Sequence, residues 1–149
     1  MKQITSLVLA AALLVVAVVE AKAAVTTNEA EIDAIYSQAS FGGNPFNVRF
    51  ESTVNINHPG LLNIDTALKS NDLFGLAGAG PTVSMFFVDT IDYCDSFNVD
   101  IIGCGQIDGN VVAVESTFAA GPSGAELMAQ EQGHGLGLVH VNDSNNLMF

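Results

Sequence analysis

The sequence predicts a single domain of the α+β class, with two main helices flanking several strands. Three observations support this prediction: an amphipathic helical pattern close to residue 30, strand patterns between residues 46 and 115, and a second helical pattern after residue 123. A chain of 149 residues is long enough to bury one hydrophobic core. The composition gives no sign of a second domain.

Residues 1–23 are typical of a cleaved secretory signal. A basic N-terminus precedes an almost entirely apolar run from Ile4 to Val19, and Ala21-Lys22-Ala23 supplies the small residues that signal peptidase needs. An uncleaved membrane anchor is the alternative, but the run is shorter than the roughly 20 residues that span a bilayer. We therefore expect a mature domain of residues 24–149 that is secreted or periplasmic and has no membrane partner.

The mature chain is strongly acidic. Removing Lys2, Lys22 and Glu20 from the four basic and sixteen acidic residues leaves two basic residues, Arg49 and Lys69, against fifteen acidic ones. Because nucleic acids and anionic membrane surfaces are also negative, this charge argues against both as partners.

Cys94 and Cys104 are the only cysteines in the sequence. In an exported chain, two cysteines ten positions apart most simply form one disulfide that closes a surface loop. Two free thiols are the alternative. Zinc binding is not expected of this pair, because neither a Cys-x-x-Cys spacing nor a neighbouring His accompanies it.

The first predicted element is a short amphipathic helix from Glu29 to Gln38. Asn28 is a suitable N-cap, and Glu31 follows it three residues later, as in a capping box. Four apolar residues then fall on one helical stripe: Ile32, Ile35, Tyr36 and Ala39. The turn-forming stretch Gly42–Pro45 ends the helix.

Strand patterns follow. Apolar and polar residues alternate from Phe46 to Asn57, which predicts one strand or two strands with a bend. His58-Pro59-Gly60 predicts a turn. A histidine in such a turn is more commonly a solvated residue than a ligand. A short helix is expected within Ile64–Leu76, and Gly75–Pro81 is a loop without a phosphate-binding fingerprint.

Two more strands are predicted nearer the C-terminus. Thr82–Val88 is an apolar run of β-formers, and Val111–Glu115 is a second such run. Between them, four aspartates surround Cys94 in one loop: Asp89, Asp92, Asp95 and Asp100. Calcium is conceivable there, but the spacing is not that of an EF-hand, and a solvated acidic loop is the commoner explanation.

The stretch from Gln130 to His140 is the most informative. Ser123 as N-cap and Glu126 as its capping-box partner start the helix that carries it. Gln130 and His134 are four residues apart and share a helical face, and Gly137 allows the chain to turn back. Three glycines lie in this stretch, and each costs a helix interior about 1 kcal/mol relative to Ala. A helix kept only for packing would not carry them.

This stretch resembles the metzincin zinc-peptidase signature H-E-x-x-H-x-x-G-x-x-H, which is followed by a Met-turn, here Asn146-Leu147-Met148. Five positions match the signature: Glu131, His134, Gly137, His140 and Met148. At the first position, where the family has a zinc-binding His, this chain has Gln130.

The resemblance implies a metzincin-like zincin fold, a mixed twisted sheet with two main helices, truncated here after the Met-turn. It implies zinc as cofactor, held by His134 and His140, with Gln130 a weak or absent ligand and Asp143 a possible substitute. It also implies that Glu131 is the general base that deprotonates a zinc-activated water.

In the family, the conserved glycine makes the turn and the methionine forms the floor of the metal site, which assigns those roles to Gly137 and Met148. The implied substrate is a peptide or protein that lies extended along an edge strand, for which Val111–Glu115 is the candidate. A serine hydrolase is excluded by the lack of a G-x-S-x-G turn.

Two functional hypotheses follow from the resemblance. The first is a secreted zinc metalloendopeptidase, which the retained Glu131 favours. The second is a catalytically inactive relative that acts as a secreted binding or structural module, which Gln130 and the missing C-terminal part favour.

Overall fold

The computed structural model describes residues 25–38, 48–51, 53–78 and 82–149. The predicted signal peptide and the Gly42–Pro45 turn lie outside these ranges. The described residues form a small mixed α+β fold, so the predicted α+β class is confirmed at this level. Four helices are present in this part of the chain: α1 (Glu29–Tyr36), α2 (Ala67–Phe74), α3 (Ser116–Ala119) and α4 (Gly124–Gly135). It also contains five strands: β1 (Asn63–Ile64), β2 (Ser84–Val88), β3 (Thr90–Ile91), β4 (Gly103–Gly105) and β5 (Val111–Glu115).

The main sheet has three strands in the order β2-β5-β4. β2 runs parallel to β5, with Ser84 opposite Val111, and β4 runs antiparallel to β5, with Gly103 opposite Val114. A second, two-stranded sheet pairs β1 with β3 in parallel. β5 is therefore the central strand of the main sheet, and its sequence-predicted bounds are confirmed.

β5 is buried along its whole length because it separates two hydrophobic clusters. Its β-branched residues suit a strand that is covered on both faces. One cluster joins α1, α4 and β5, and its buried members are Ile32, Tyr36, Val114, Ala119, Leu127, Met128 and Ala129. The other lies on the side of α2 and the small sheet, and its buried members are Leu61, Ile64, Leu73, Val88, Ile91, Cys104 and Ala113.

The predicted first helix is present, but its predicted cap is wrong. Asn28 makes no side-chain bond to the first turn of α1; instead, its Nδ2 donates a hydrogen bond to the carbonyl of Ala119, at 2.7 Å. The buried face is correct where it is described, since Ile32 and Tyr36 are nearly inaccessible and the Tyr36 hydroxyl donates to the carbonyl of Ala129. Ala39 lies outside the described residues.

The predicted strand over Phe46–Asn57 is wrong in its described part, where residues 48–51 and 53–57 form no strand. Carboxylates of α1 accept hydrogen bonds from the backbone here. The Val48 N–H donates to Asp33 Oδ1 at 2.6 Å, and the Phe50 N–H donates to Glu29 Oε2 at 3.1 Å. These amides are therefore used by side chains rather than by a neighbouring strand.

The Cys94–Cys104 disulfide is confirmed, with a Cα–Cα distance of 5.8 Å. It fastens β4 to the acidic loop that follows β3. Sequence reasoning did not predict β4, because a strand of three residues with two glycines shows no hydrophobic periodicity. No helix in the described part of the chain has the length and apolarity needed to cross a membrane.

We expect the Cys94→Ser/Cys104→Ser double variant to unfold more easily than the wild type. A disulfide that closes a loop of this size stabilises by about 2 to 3 kcal/mol, because it restricts the unfolded chain. Urea denaturation followed by circular dichroism measures the difference. Equal unfolding free energies for the two proteins would contradict the expectation.

Candidate functional site

The candidate site is built on the C-terminal end of α4. The Gly137 N–H donates to the His134 carbonyl at 2.8 Å, and the Leu138 N–H donates to the Gly133 carbonyl at 2.9 Å. These two bonds and the left-handed Gly137, at φ +83°, form a Schellman motif. Gly137 is needed because a side chain would strain this conformation. The chain therefore reverses direction directly after the helix.

This reversal brings the two signature histidines together. The ring centres of His134 and His140 are 4.8 Å apart, in an edge-to-face arrangement. His134 is buried and His140 is exposed. Nδ1 of His134 lies 2.9 Å from the carbonyl oxygen of Leu138. Since a carbonyl only accepts, Nδ1 carries a proton, and in the neutral ring this leaves the lone pair on Nε2.

Met148 lies directly beneath the helix. A Cβ added at Gly133 would be 2.7 Å from the Met148 sulfur, so the absence of a side chain at Gly133 makes room for the methionine. Met148 is 4% exposed. Its carbonyl accepts a hydrogen bond from the Val141 N–H, and its own N–H donates to Asn146 Oδ1. The turn and the segment after His140 therefore lie side by side.

Gln130 occupies the signature position at which the family has its first histidine. Its side-chain Nε2 donates to the carbonyl oxygen of Phe149 at 3.2 Å. This bond uses a nitrogen that cannot bind a metal and leaves Oε1 as the only possible donor atom of the side chain. Gln130 thus links the helix to the end of the Met-turn segment.

The Glu131 side chain packs against the backbone of β4. It is 6% exposed. A Cβ added at Gly103 would collide with the carboxylate of Glu131, and one added at Gly105 would be 2.7 Å from the Glu131 carbonyl oxygen. The two glycines of β4 therefore allow α4 to approach the strand closely. Their role was not predicted from the sequence, and only the alternation of glycines around Cys104 could have suggested it.

The carboxylate of Glu131 is incompletely hydrogen-bonded within the described part of the chain. Its Oε2 is buried and has no hydrogen-bond partner among the described residues. Burial disfavours the charged form and raises the pKa of Glu131 to about 7. The group is therefore poised to exchange a proton close to neutral pH.

Several other candidate residues lie outside this arrangement. Asp143 is exposed, and its Oδ1 accepts a hydrogen bond from the Asn145 N–H. His58 is exposed in the turn that precedes the helical residues Pro59–Leu61. In the described ranges, no group of three or more His, Cys, Asp or Glu side chains could hold a metal ion, and this includes the acidic loop considered for calcium.

The spacing of the two histidine rings is close to that expected for a shared metal. Two imidazoles that bind one tetrahedral zinc at about 2.0–2.1 Å have ring centres roughly 5 Å apart, close to the 4.8 Å separation of His134 and His140. The His134 tautomer also leaves Nε2 available, as a zinc ligand requires. The donor set is nevertheless two imidazoles and at most one amide oxygen, which is weaker than three imidazoles.

We expect Gly103→Ala to destabilise the protein by about 1 to 3 kcal/mol, because the added methyl group overpacks against the Glu131 carboxylate. Gly78→Ala is the matched control, since a Cβ there would meet nothing within 4 Å. Chemical denaturation measures both variants. If Gly103→Ala lowered the free energy of unfolding no more than Gly78→Ala does, the close approach of α4 to β4 would be contradicted.

A second prediction concerns pH. Since the folded-state pKa of Glu131, about 7, lies above the ordinary glutamate pKa of 4.5, its contribution to stability is complete below pH 4.5 and is lost as the pH rises through 7. With chelator present, the wild type should lose on the order of 3 kcal/mol relative to Glu131→Gln across this range. Glu115, whose pKa is also raised by burial, titrates in both proteins and cancels.

Unfolding free energies of both proteins at several pH values provide the test. A difference that does not change with pH would show that the Glu131 carboxyl group is solvated in the native protein.

Comparison with known proteins identifies no relative of this chain. No family model, no curated protein and no solved structure matches the chain.

Proposed function

We propose that this protein is a secreted zinc metalloendopeptidase of the metzincin type, with Glu131 as its general base. The observation that carries the proposal is the turn at Gly137, which sets His140 beside His134 at a distance suited to one shared ion. Met148 beneath Gly133 supports it, because a methionine floor under the metal ligands is part of the same signature.

His134 and His140 would hold zinc through ring nitrogens, and Gln130 Oε1 is the available third donor. Bound zinc supplies a Lewis acid that polarises the scissile carbonyl. The His134 ring is already oriented for this role by its bond to the Leu138 carbonyl. Each half of the pair is thus fixed by backbone geometry: His134 by the helix and His140 by the turn.

Glu131 suits the role of proton acceptor. A general base works best when its pKa lies close to the working pH, and burial brings the pKa of Glu131 to about 7. Its carboxylate takes a proton from the attacking water and returns it to the leaving amine. Its Oε2 makes no hydrogen bond to the described residues, so this oxygen is not committed to another partner.

The proposed substrate is an extended peptide, but the prediction that it binds along Val111–Glu115 is wrong. Val111–Glu115 is the central strand and pairs with β2 on one side and β4 on the other, so it has no free edge. Among the described strands, β4 is the sheet edge that lies against Glu131. We therefore assign the peptide to the outer edge of β4, where backbone hydrogen bonds can extend the sheet.

The fold and compartment are part of the proposal. The order of one helix, several strands and a helix that carries the site supports a metzincin-like fold. The Cys94–Cys104 disulfide supports export to an oxidising compartment, because such bonds are rare in the cytosol. N-terminal sequencing of exported material should begin at Ala24, after the small residues of the predicted cleavage site.

A second candidate function is a catalytically inactive binding module. One contact favours it: the Gln130 amide is bonded to the Phe149 carbonyl, so the first ligand position makes a structural contact. In that case zinc would bind weakly or not at all, and Glu131 would have no water to deprotonate.

The experiment that separates the two functions is a zinc titration of the purified protein. We expect weak binding by the wild type and substantially tighter binding, of one zinc per chain, by Gln130→His, because an imidazole replaces an amide at a helical position that already faces the site. His134→Ala is the control and should bind no zinc.

Peptidase activity completes the test. Activity should appear or increase in Gln130→His and should be lost in Gln130→His/Glu131→Ala, which retains the ligands but lacks the base. Equal and negligible zinc binding by wild type, Gln130→His and His134→Ala would remove the enzyme proposal and leave the binding module.

A further inference from the structure

Four exposed apolar side chains belong to the segment that carries the exposed His140 and to the end of the chain segment after Met148. They are Leu138, Val139, Val141 and Phe149, with exposures of 38%, 56%, 40% and 62%, and we refer to them as the apolar rim. Three of them flank His140 along the chain. Where exposed apolar side chains form one patch, the patch often marks a binding site.

Backbone contacts make the rim one surface. The Val141 N–H bonds to the Met148 carbonyl, which brings the segment after the helix next to the end of the Met-turn segment. The Phe149 carbonyl accepts from Gln130, and the Leu138 side chain lies 3.5 Å from the Cβ position of Gly133. These contacts place the segments that carry the rim against the side of α4 that includes Gln130 and Gly133.

The charge around the rim is negative. Asp108 lies against the helix end, where its N–H donates to the His134 carbonyl, and Asp143 lies in the turn between His140 and Met148. From residue 134 to residue 149 the sequence contains no Lys or Arg. A cationic ligand would meet no repulsion from a basic side chain in this segment.

The basic residues of the mature chain are engaged elsewhere. Arg49 pairs with Glu29 at 2.8 Å, and Lys69 pairs with Asp65 at 2.9 Å. The remaining acidic residues are therefore not neutralised by them, and the chain as a whole carries a formal charge of −12. A field of this sign raises the local concentration of cations and speeds their association.

We propose that the site binds cationic peptides with large apolar side chains, the apolar rim contacting those side chains and the acidic surface attracting the basic ones. This inference names the substrate class of the proposed peptidase and so rests on that function. Apolar contact and charge act on different parts of the peptide, so each can be removed separately.

The test measures binding of three fluorescent peptides by anisotropy, with chelator present so that no cleavage occurs. One peptide alternates Lys with Leu, the second replaces Lys by Glu, and the third replaces Leu by Ser. We expect the Lys/Leu peptide to bind at least ten-fold more tightly than either of the others. Its affinity should also fall when the salt concentration is raised from 50 to 500 mM, as screening requires.

Surface variants locate the binding. Val139→Ser and Phe149→Ser should each weaken binding of the Lys/Leu peptide several-fold, and Asp108→Asn/Asp143→Asn should reduce its dependence on salt. Val54→Ser is the matched control, because Val54 is an apolar residue 77% exposed outside the rim, and it should bind as the wild type does.

Two outcomes would overturn the inference: equal binding of the Lys/Leu and Glu/Leu peptides, or the same loss in Val54→Ser as in Val139→Ser. Failure of the proposed function is distinguished by the zinc titration, since the anisotropy test requires neither bound metal nor turnover.

Discussion

The contact between Glu131 and the backbone of β4 is the constraint on which the rest of the site depends. α4 reaches β4 closely because Gly103 and Gly105 present no side chain to it. This approach lays the helix across the sheet, where Leu127 and Met128 are buried in the same cluster as the central strand. Once the helix is fixed in this way, the position of its C-terminal end is fixed too, and with it the position of His134.

The hairpin formed by β4 and β5 also supports the end of α4 and the turn that carries His140. β4 and β5 are joined by a turn that contains Asp108, and the Asp108 N–H donates to the His134 carbonyl. That carbonyl also accepts the Gly137 N–H that closes the helix. The strand that buries Glu131 and the turn that supports the histidine pair therefore belong to one unit, which the Cys94–Cys104 bond fastens to the neighbouring loop.

Sequence reasoning succeeded where the interactions are local. The bounds of β5 and the disulfide were predicted correctly, and so was the turn at Gly137 that follows α4, because each follows from neighbouring residues. It failed at Phe46–Asn57, since alternation shows which side chains share a face but not what bonds the amides. Carboxylates from α1 bind the amides of Val48 and Phe50 instead. The surroundings of Glu131 were beyond prediction too, because its contacts are with residues almost thirty positions away.

Gln130 and Glu131 differ in what they contribute to stability, and this difference bears on the two candidate functions. Gln130 is compatible with a purely structural role, since its amide bonds to the Phe149 carbonyl at little cost. Glu131 is not, because its buried Oε2 has no partner among the described residues and its charged form is destabilised by burial. An apolar side chain at this position would pack against β4 without that penalty. A buried carboxyl group with a raised pKa marks a candidate functional position more often than a structural one, and this supports the proposed peptidase over the inactive module.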